Sequence, residues 1–442
     1  MSNLEKKFQE DTELAWDRKH RAKINYNIGK YEISVLKGKA QFADLESAKE
    51  MASAIKKQTL KNLPTYLLEF EKNATAKGTT ILWAETAEQA LEEIDAILAP
   101  HRVGYIVKSK SMITEEIELN EHLEKKGIEV IETDLGEYIV QLAGEKPYHI
   151  ITPIMHKSKE EVAELFEEKF GLPPYSTPEE VMGFVREKLR YKFFNAKVGI
   201  TGANFLIAET GSITLTENEG NANLCVSYPE IHIVIAGIEK IIPKLEHLEL
   251  FQSLLAAHGT GQNLTCYNNL VTGGQQEGEI DGIKKMYVIL LDNGRTNLLA
   301  EEDHWEALKC IKCGACLNVC PVYKNIGGYT YNTTYQGPIG AVITPHLKGM
   351  KEYGHLSYAS TLCGRCTEVC PVKIDLQKLL LLNRKKFVER NPPSILEKST
   401  LRIAKSFLEN GTYATKIPAF AKKIGYWLFA ANRWQNKRSS LK

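Results

Sequence analysis

Between residues 310 and 321 the chain reads Cys310-Ile-Lys-Cys313-Gly-Ala-Cys316-Leu-Asn-Val-Cys320-Pro321, and further on it reads Cys363-Gly-Arg-Cys366-Thr-Glu-Val-Cys370-Pro371. The first run is C-x2-C-x2-C-x3-C-P, the spacing of bacterial two-cluster ferredoxins. Three closely spaced thiolates wrap a loop around one corner of an iron–sulfur cube. The fourth, just inside a helix, faces away and serves a second cube. By this crossed rule Cys310, Cys313, Cys316 and Cys370 hold one cluster, and Cys320, Cys363 and Cys366 hold the other. Ser360 stands where a full repeat would supply the missing ligand. Zinc sites use two well-separated C-x2-C knuckles, and neither zinc nor a disulfide framework calls for a triple run ending in Cys-Pro.

Seven of the nine cysteines lie between Cys310 and Cys370, and the other two, Cys225 and Cys266, read as ordinary small buried residues. In a cytosolic chain, thiols gathered in this way point to metal. A length of 442 residues with 43% hydrophobic and 25% charged residues excludes a disordered, collagen-like or membrane-embedded chain. The longest apolar runs, Ile233 to Ile238 and Val288 to Leu291, are far too short for a membrane span, and no apolar segment follows the N-terminus. We therefore expect a cytoplasmic protein without a transmembrane segment, which leaves peripheral membrane contact open. The net charge of +1 is divided unevenly: residues 384–442 hold 14 Lys/Arg and 3 Asp/Glu, or +11, and the remainder holds 42 and 52, or −10.

Four parts are legible. Residues 1–75 read as a polar helical segment, with Leu60, Leu63, Leu67 and Phe70 on one face and Pro64 restarting the helix. Residues 76–300 alternate short β-rich runs (Thr80–Trp83, Val103–Val107, Ile128–Ile131, His149–Ile151, Lys197–Ile200, Ile213–Leu215, His232–Ala236, Tyr287–Leu291) with amphipathic helices. Among these helices, one is capped by Thr86 with Gln89 and another covers Glu160–Phe166. That alternation predicts an α/β domain around a largely parallel sheet, with antiparallel pairs added between Lys197 and Thr216. Residues 301–383 carry the cysteines. Residues 384–442 form a basic tail of weak helices, broken at Asn391-Pro392-Pro393 and carrying the aromatic stretch Tyr426-Trp427-Leu428-Phe429 and Trp434.

Within the α/β part, Gly199-Ile-Thr-Gly202-Ala203-Asn204 precedes Ile207-Ala208-Glu209-Thr210-Gly211-Ser212. Glycines and hydroxyls at strand ends either offer backbone N–H groups to an anion or only permit tight turns. With Lys108-Ser109-Lys110-Ser111-Met112, His149-Ile150 before His156-Lys157, and Leu291-Asp292-Asn293-Gly294-Arg295, these stretches resemble the LUD (lactate utilization) domain. Joined to the cysteine motifs and basic tail, the chain resembles the lactate utilization protein B family over nearly its whole length. The resemblance implies a Rossmann-like α/β fold, similar to the ribose-phosphate isomerase and CoA-transferase superfamily, beside a small ferredoxin-like domain. It also implies two [4Fe-4S] clusters whose seven cysteine ligands map onto the seven here, leaving the eighth ligand open at Ser360. Finally, it implies two companion proteins, one cysteine-rich and one a smaller LUD protein, acting together to oxidise L-lactate to pyruvate.

Clusters of this class move electrons singly, and the chain has no dinucleotide fingerprint: His258-Gly259-Thr260-Gly261-Gln262 lacks the third glycine. The sequence therefore reads as an electron-transfer subunit that depends on partners. The alternative is a stand-alone LUD-domain enzyme for a phosphorylated or CoA-type metabolite, with the clusters sensing redox state. A nucleic-acid role is not expected, because the tail mixes its cations with Ile403, Phe407, Ile417 and Trp427. For chemistry in the LUD domain the candidates are Glu209, His156 and Arg295. Glu209 is either a buried acid or a strand-end charge. His156, like His149, competes with the commoner role of a satisfied polar residue. Arg295 either pairs with a substrate carboxylate or caps a loop.

Overall fold

The computed structural model describes residues 2–392 and 395–409. Residues up to Phe387 pack into one compact unit, and a second begins at Val388. Its described part includes the helix Ile395–Glu409. The aromatic stretch Tyr426–Phe429 and Trp434 lie outside the described residues.

Among the described residues the ten strands are β1 (Thr79–Ala84), β2 (Tyr105–Lys108), β3 (Glu129–Glu132), β4 (Val198–Thr201), β5 (Phe205–Ile207), β6 (Ser212–Glu217), β7 (Ile231–Gly237), β8 (Ile241–Ile242), β9 (Tyr267–Val271) and β10 (Lys285–Leu291). Six form a fully parallel sheet in the order β1-β10-β7-β4-β2-β3. Strand β7 is buried along its whole length, as a continuous apolar run covered on both faces should be. The chain passes from β2 outward to β3 and then returns through β4, β7 and β10, so the order reverses between β2 and β4. At such a reversal the carboxyl ends of the strands leave a crevice. A second sheet, in the order β8-β5-β6-β9, contains the antiparallel pairs β5–β6 and β6–β9.

The predicted strand at His149–Ile151 is absent; those residues form a bend. The reason is local: the His149 ring nitrogen Nδ1 accepts the N–H groups of Ile151 and Thr152 at 3.1 and 3.3 Å, removing donors a ladder would need. Strands β5, β8 and β9 had no clear sequence signal. Gly211, at φ +68° in the β5–β6 turn, abuts a helix: a Cβ there would lie 2.2 Å from the Ala74 backbone nitrogen. A tight turn with close packing therefore accounts for this glycine.

The N-terminal segment is helical. Asp17 and Asp44 cap the helices Arg18–Lys39 and Leu45–Lys61, and Pro64 sits in the first turn of Leu63–Thr75. These helices are not an appendage. Ile24, Ile28, Ala52 and Leu60 share one continuous core with Cys313, Cys316, Cys320, Cys366 and Cys370.

Candidate metal centre

The two cysteine loops have the same backbone form. In the first, Lys312 (φ +61°) and Gly314 (φ +75°) are left-handed and a short helix, Ala315–Asn318, follows; in the second, Leu362 (φ +54°) and Gly364 (φ +82°) precede Arg365–Glu368. The Lys312 N–H donates to Cys310 Sγ at 3.4 Å, and at the matching place the Leu362 N–H donates to Ser360 Oγ at 3.1 Å. Ser360 is thus the positional counterpart of Cys310. Further N–H groups reach Cys320 Sγ from Tyr323 (3.5 Å) and Cys370 Sγ from Ile374 (3.4 Å).

The thiols fall into two groups. Cys313 is within electrostatic reach of Cys310 and Cys370, and Cys316 of Cys310 and Cys313. Cys366 faces Cys320 and Cys363. Cys366 also acts on Cys316, so the groups adjoin. A recess of about 290 Å³, counting space open to solvent, is lined by Cys320, Ser360, Cys363 and Cys366 together with Arg365 and Gln377. Burial pushes the thiols of Cys366 and Cys370 up to about 11, whereas exposed Cys363 is lowered, chiefly by the Arg365 N–H. Among the described residues no three His, Cys, Asp or Glu side chains converge closely enough to hold a single metal ion. Soft sulfur donors in two groups, each supplied with backbone N–H groups, fit iron–sulfur clusters.

Charge is unevenly placed around these groups. Lys56, which is 1% exposed, donates Nζ to the carbonyls of Glu239 and Ile241. Burial lowers its ammonium to about 8, and Glu239 and Cys310 oppose that shift. Lys240 is likewise lowered to about 8 by burial, with Glu239 and Cys310 opposing. Lys309, buried, bonds Ser53 Oγ at 3.1 Å and acts on Cys370.

Arg295 is buried beside this region. Its guanidinium holds Glu116 through both carboxylate oxygens (2.9 and 2.8 Å) and Glu239 through Nε (2.6 Å), and it also reaches the Asp292 carbonyl and the Tyr335 hydroxyl. Every N–H is therefore committed within the chain: one closes the Asp292–Arg295 loop on the Asp292 carbonyl, and the rest go to Glu116, Glu239 and Tyr335. Burial raises the carboxyl of Glu239, but Arg295, then Lys240 and Lys312, outweigh it and hold the group at about 2.

Glu209 is exposed and accepts the Leu245 N–H at 2.9 Å, a strand-end charge. His156 Nε2 meets Glu145 at 2.7 Å, and its ring stacks on Tyr148 with centroids 4.8 Å apart; burial lowers its pKa against the pull of Glu145. His149 joins the α/β domain to the first cysteine loop: its Nε2 lies 3.1 Å from Asn318 Oδ1, and the neighbouring Ile150 and Ile151 side chains pack on Gly314. Cys225 is buried as expected, but Cys266 is exposed beside the edge strand β9.

At the carboxyl ends of β2 and β3, Lys108 pairs with Glu132 at 2.7 Å, both buried. Lys110 Nζ bonds the Ile151 carbonyl at 2.8 Å and lies 4.0 Å from Glu137. Burial, then Glu115, push the Glu137 carboxyl well above its usual range. Sequence reasoning missed Lys56, Glu116, Glu137, Glu239 and Lys240. Each is an unremarkable charge in its own stretch, and its partners are remote in sequence.

Residues 67–291 match the LUD domain family, and residues 306–374 match the 4Fe-4S dicluster domain family. The chain is 46% identical over 356 residues to lactate utilization protein B of Anoxybacillus flavithermus, spanning 80% of this chain and 75% of that one. It is 43% identical over 386 residues to lactate utilization protein B of Geobacillus kaustophilus, spanning 87% and 80%. A solved structure of a DUF162 family protein from Deinococcus radiodurans aligns with 15% identity and a TM-score of 0.27, over 52% of this chain and 98% of that one.

Proposed function

Because the chain belongs to the lactate utilization protein B family, we propose that it is the iron–sulfur subunit of a complex that oxidises L-lactate to pyruvate. The observation that carries this reading is the gathering of seven thiols by two loops of one backbone form, packed directly on a LUD domain. Cys310, Cys313, Cys316 and Cys370 hold one [4Fe-4S] cluster; Cys320, Cys363 and Cys366 hold the other, with Ser360 at the eighth position. Such clusters, when bound, pass electrons one at a time. Lactate gives up two electrons and two protons, so a two-electron acceptor belongs to a companion. Two companions complete the complex, one cysteine-rich and one a smaller LUD protein. Among the described residues no helix is long and apolar enough to cross a membrane.

The full chain purified without air is expected to be brown, to carry about eight iron atoms or slightly fewer, and to reduce no dye with lactate alone. Adding both companions should restore lactate-dependent dye reduction. Steady lactate-dependent reduction by the chain alone would overturn the dependence on companions, and an iron-free chain would overturn the iron–sulfur reading itself.

A further inference from the structure

Lys56 has no carboxylate partner among the described residues, although it is almost wholly buried. A buried ammonium is strongly disfavoured unless an anion offsets it. The carboxylate of Glu239, whose backbone carbonyl accepts from Lys56, is already committed to Arg295 at 2.6 Å. What remains on that side is Cys310: Ser53, one turn from Lys56, takes the neighbouring Lys309 ammonium at 3.1 Å, and Glu239 lines one small cavity with Cys310. Lys240 also forms no ion pair among the described residues. The other thiol group differs: Lys324, beside Cys320, is already paired with Glu32, and Arg365, beside Cys363, is exposed to water that screens it.

We propose that Lys56, with Lys240 beside it, is the built-in counter-cation of the cluster held by Cys310, Cys313, Cys316 and Cys370, and sets it at a higher reduction potential than the cluster of Cys320, Cys363 and Cys366. A thiolate-held cluster becomes more negative by one charge when reduced. A fixed cation in a poorly screened interior therefore favours the reduced form. Lys56 lies in the helix Leu45–Lys61, outside both matched domain spans, so the N-terminal segment contributes to the redox centre itself.

The proposal rests on the ligand assignment given under Proposed function, and its test separates the two. The full chain, purified without air, is titrated electrochemically while electron paramagnetic resonance follows each cluster; Cys366→Ala identifies the signal of the second centre. Lys56→Met should keep its iron and lower the midpoint of the first centre only. Lys56→Arg, which keeps the charge, should stay near the parent value. Should Lys56→Met fail to fold, Lys240→Met, at a less buried position, must shift the same signal in the same direction. Full iron with unmoved midpoints, or equal shifts of both centres, overturns the proposal and leaves the ligand assignment standing. A parent chain without iron overturns the assignment.

Discussion

Ser360 occupies the place of Cys310 in a backbone that repeats, and it lines one recess with Cys320, Cys363 and Cys366. An oxygen donor is harder than a thiolate, and a serine gives up its proton far less readily. The iron facing Ser360 is therefore expected to leave first: brief exposure to air should convert one cluster to a three-iron form, and Ser360→Cys should slow that conversion. Paramagnetic resonance before and after exposure reads both outcomes; equal decay of both clusters would contradict the assignment. The Arg295 network makes a second prediction. Glu239 is held at about 2, below its ordinary 4.5, so its stabilisation is complete above the unfolded value and is lost as pH falls toward the folded one. Glu239→Gln should cost roughly 3 kcal/mol at neutral pH. The gap between parent and variant in urea unfolding should narrow by about 1 kcal/mol between pH 7 and pH 4. A gap that widens on acidification would mean the pairing is misread.

At the scale of elements, the bend at His149–Ile151 is the joint between the α/β domain and the first cysteine loop. Gly314 has φ +75°, and a Cβ there would meet Ile151 at 2.8 Å. Gly314→Ala should therefore combine backbone strain with a clash and release iron from the first centre, while Gly183→Ala, in open space on a helix, should not. Iron content and the absorbance of the purified variants check this. The same joint marks where sequence reading failed. His149–Ile151 looks like a strand because Ile150 and Ile151 are β-branched, but an imidazole that captures two backbone N–H groups outweighs that preference. The central strands β7 and β10 were legible, since continuous burial leaves an apolar run. Strand β9, Tyr267-Asn-Asn-Leu-Val271, was not, because an edge strand with exposed side chains carries little pattern. The seven thiols were legible because cluster geometry fixes their spacing. Glu116, Glu239 and Arg295 were not, because only the folded chain brings them together.

For the whole molecule, the charge of residues 384–442 opposes that of the rest, +11 against −10. Deleting residues 391–442 is expected to abolish assembly with the companion proteins while leaving iron content unchanged, and added salt should weaken the intact complex if the contact is exposed. Size-exclusion chromatography with both companions tests this, and normal assembly of the truncated chain would remove the docking role. The shared core of N-terminal helices and cysteine segment also bears on how the protein is made. The helix Leu45–Lys61 reaches the second motif through Lys49 on the Glu368 carbonyl (3.1 Å) and through Glu46 and Glu50 on Lys373 (3.4 and 2.7 Å). These helices leave the ribosome before the cysteine segment, yet their packing surface does not exist until the residues through Cys370 have followed. Iron delivery must therefore fall in the interval when the last thiols have emerged and the helices made before them have not yet closed over them, so a segment translated ahead of the thiols settles after them.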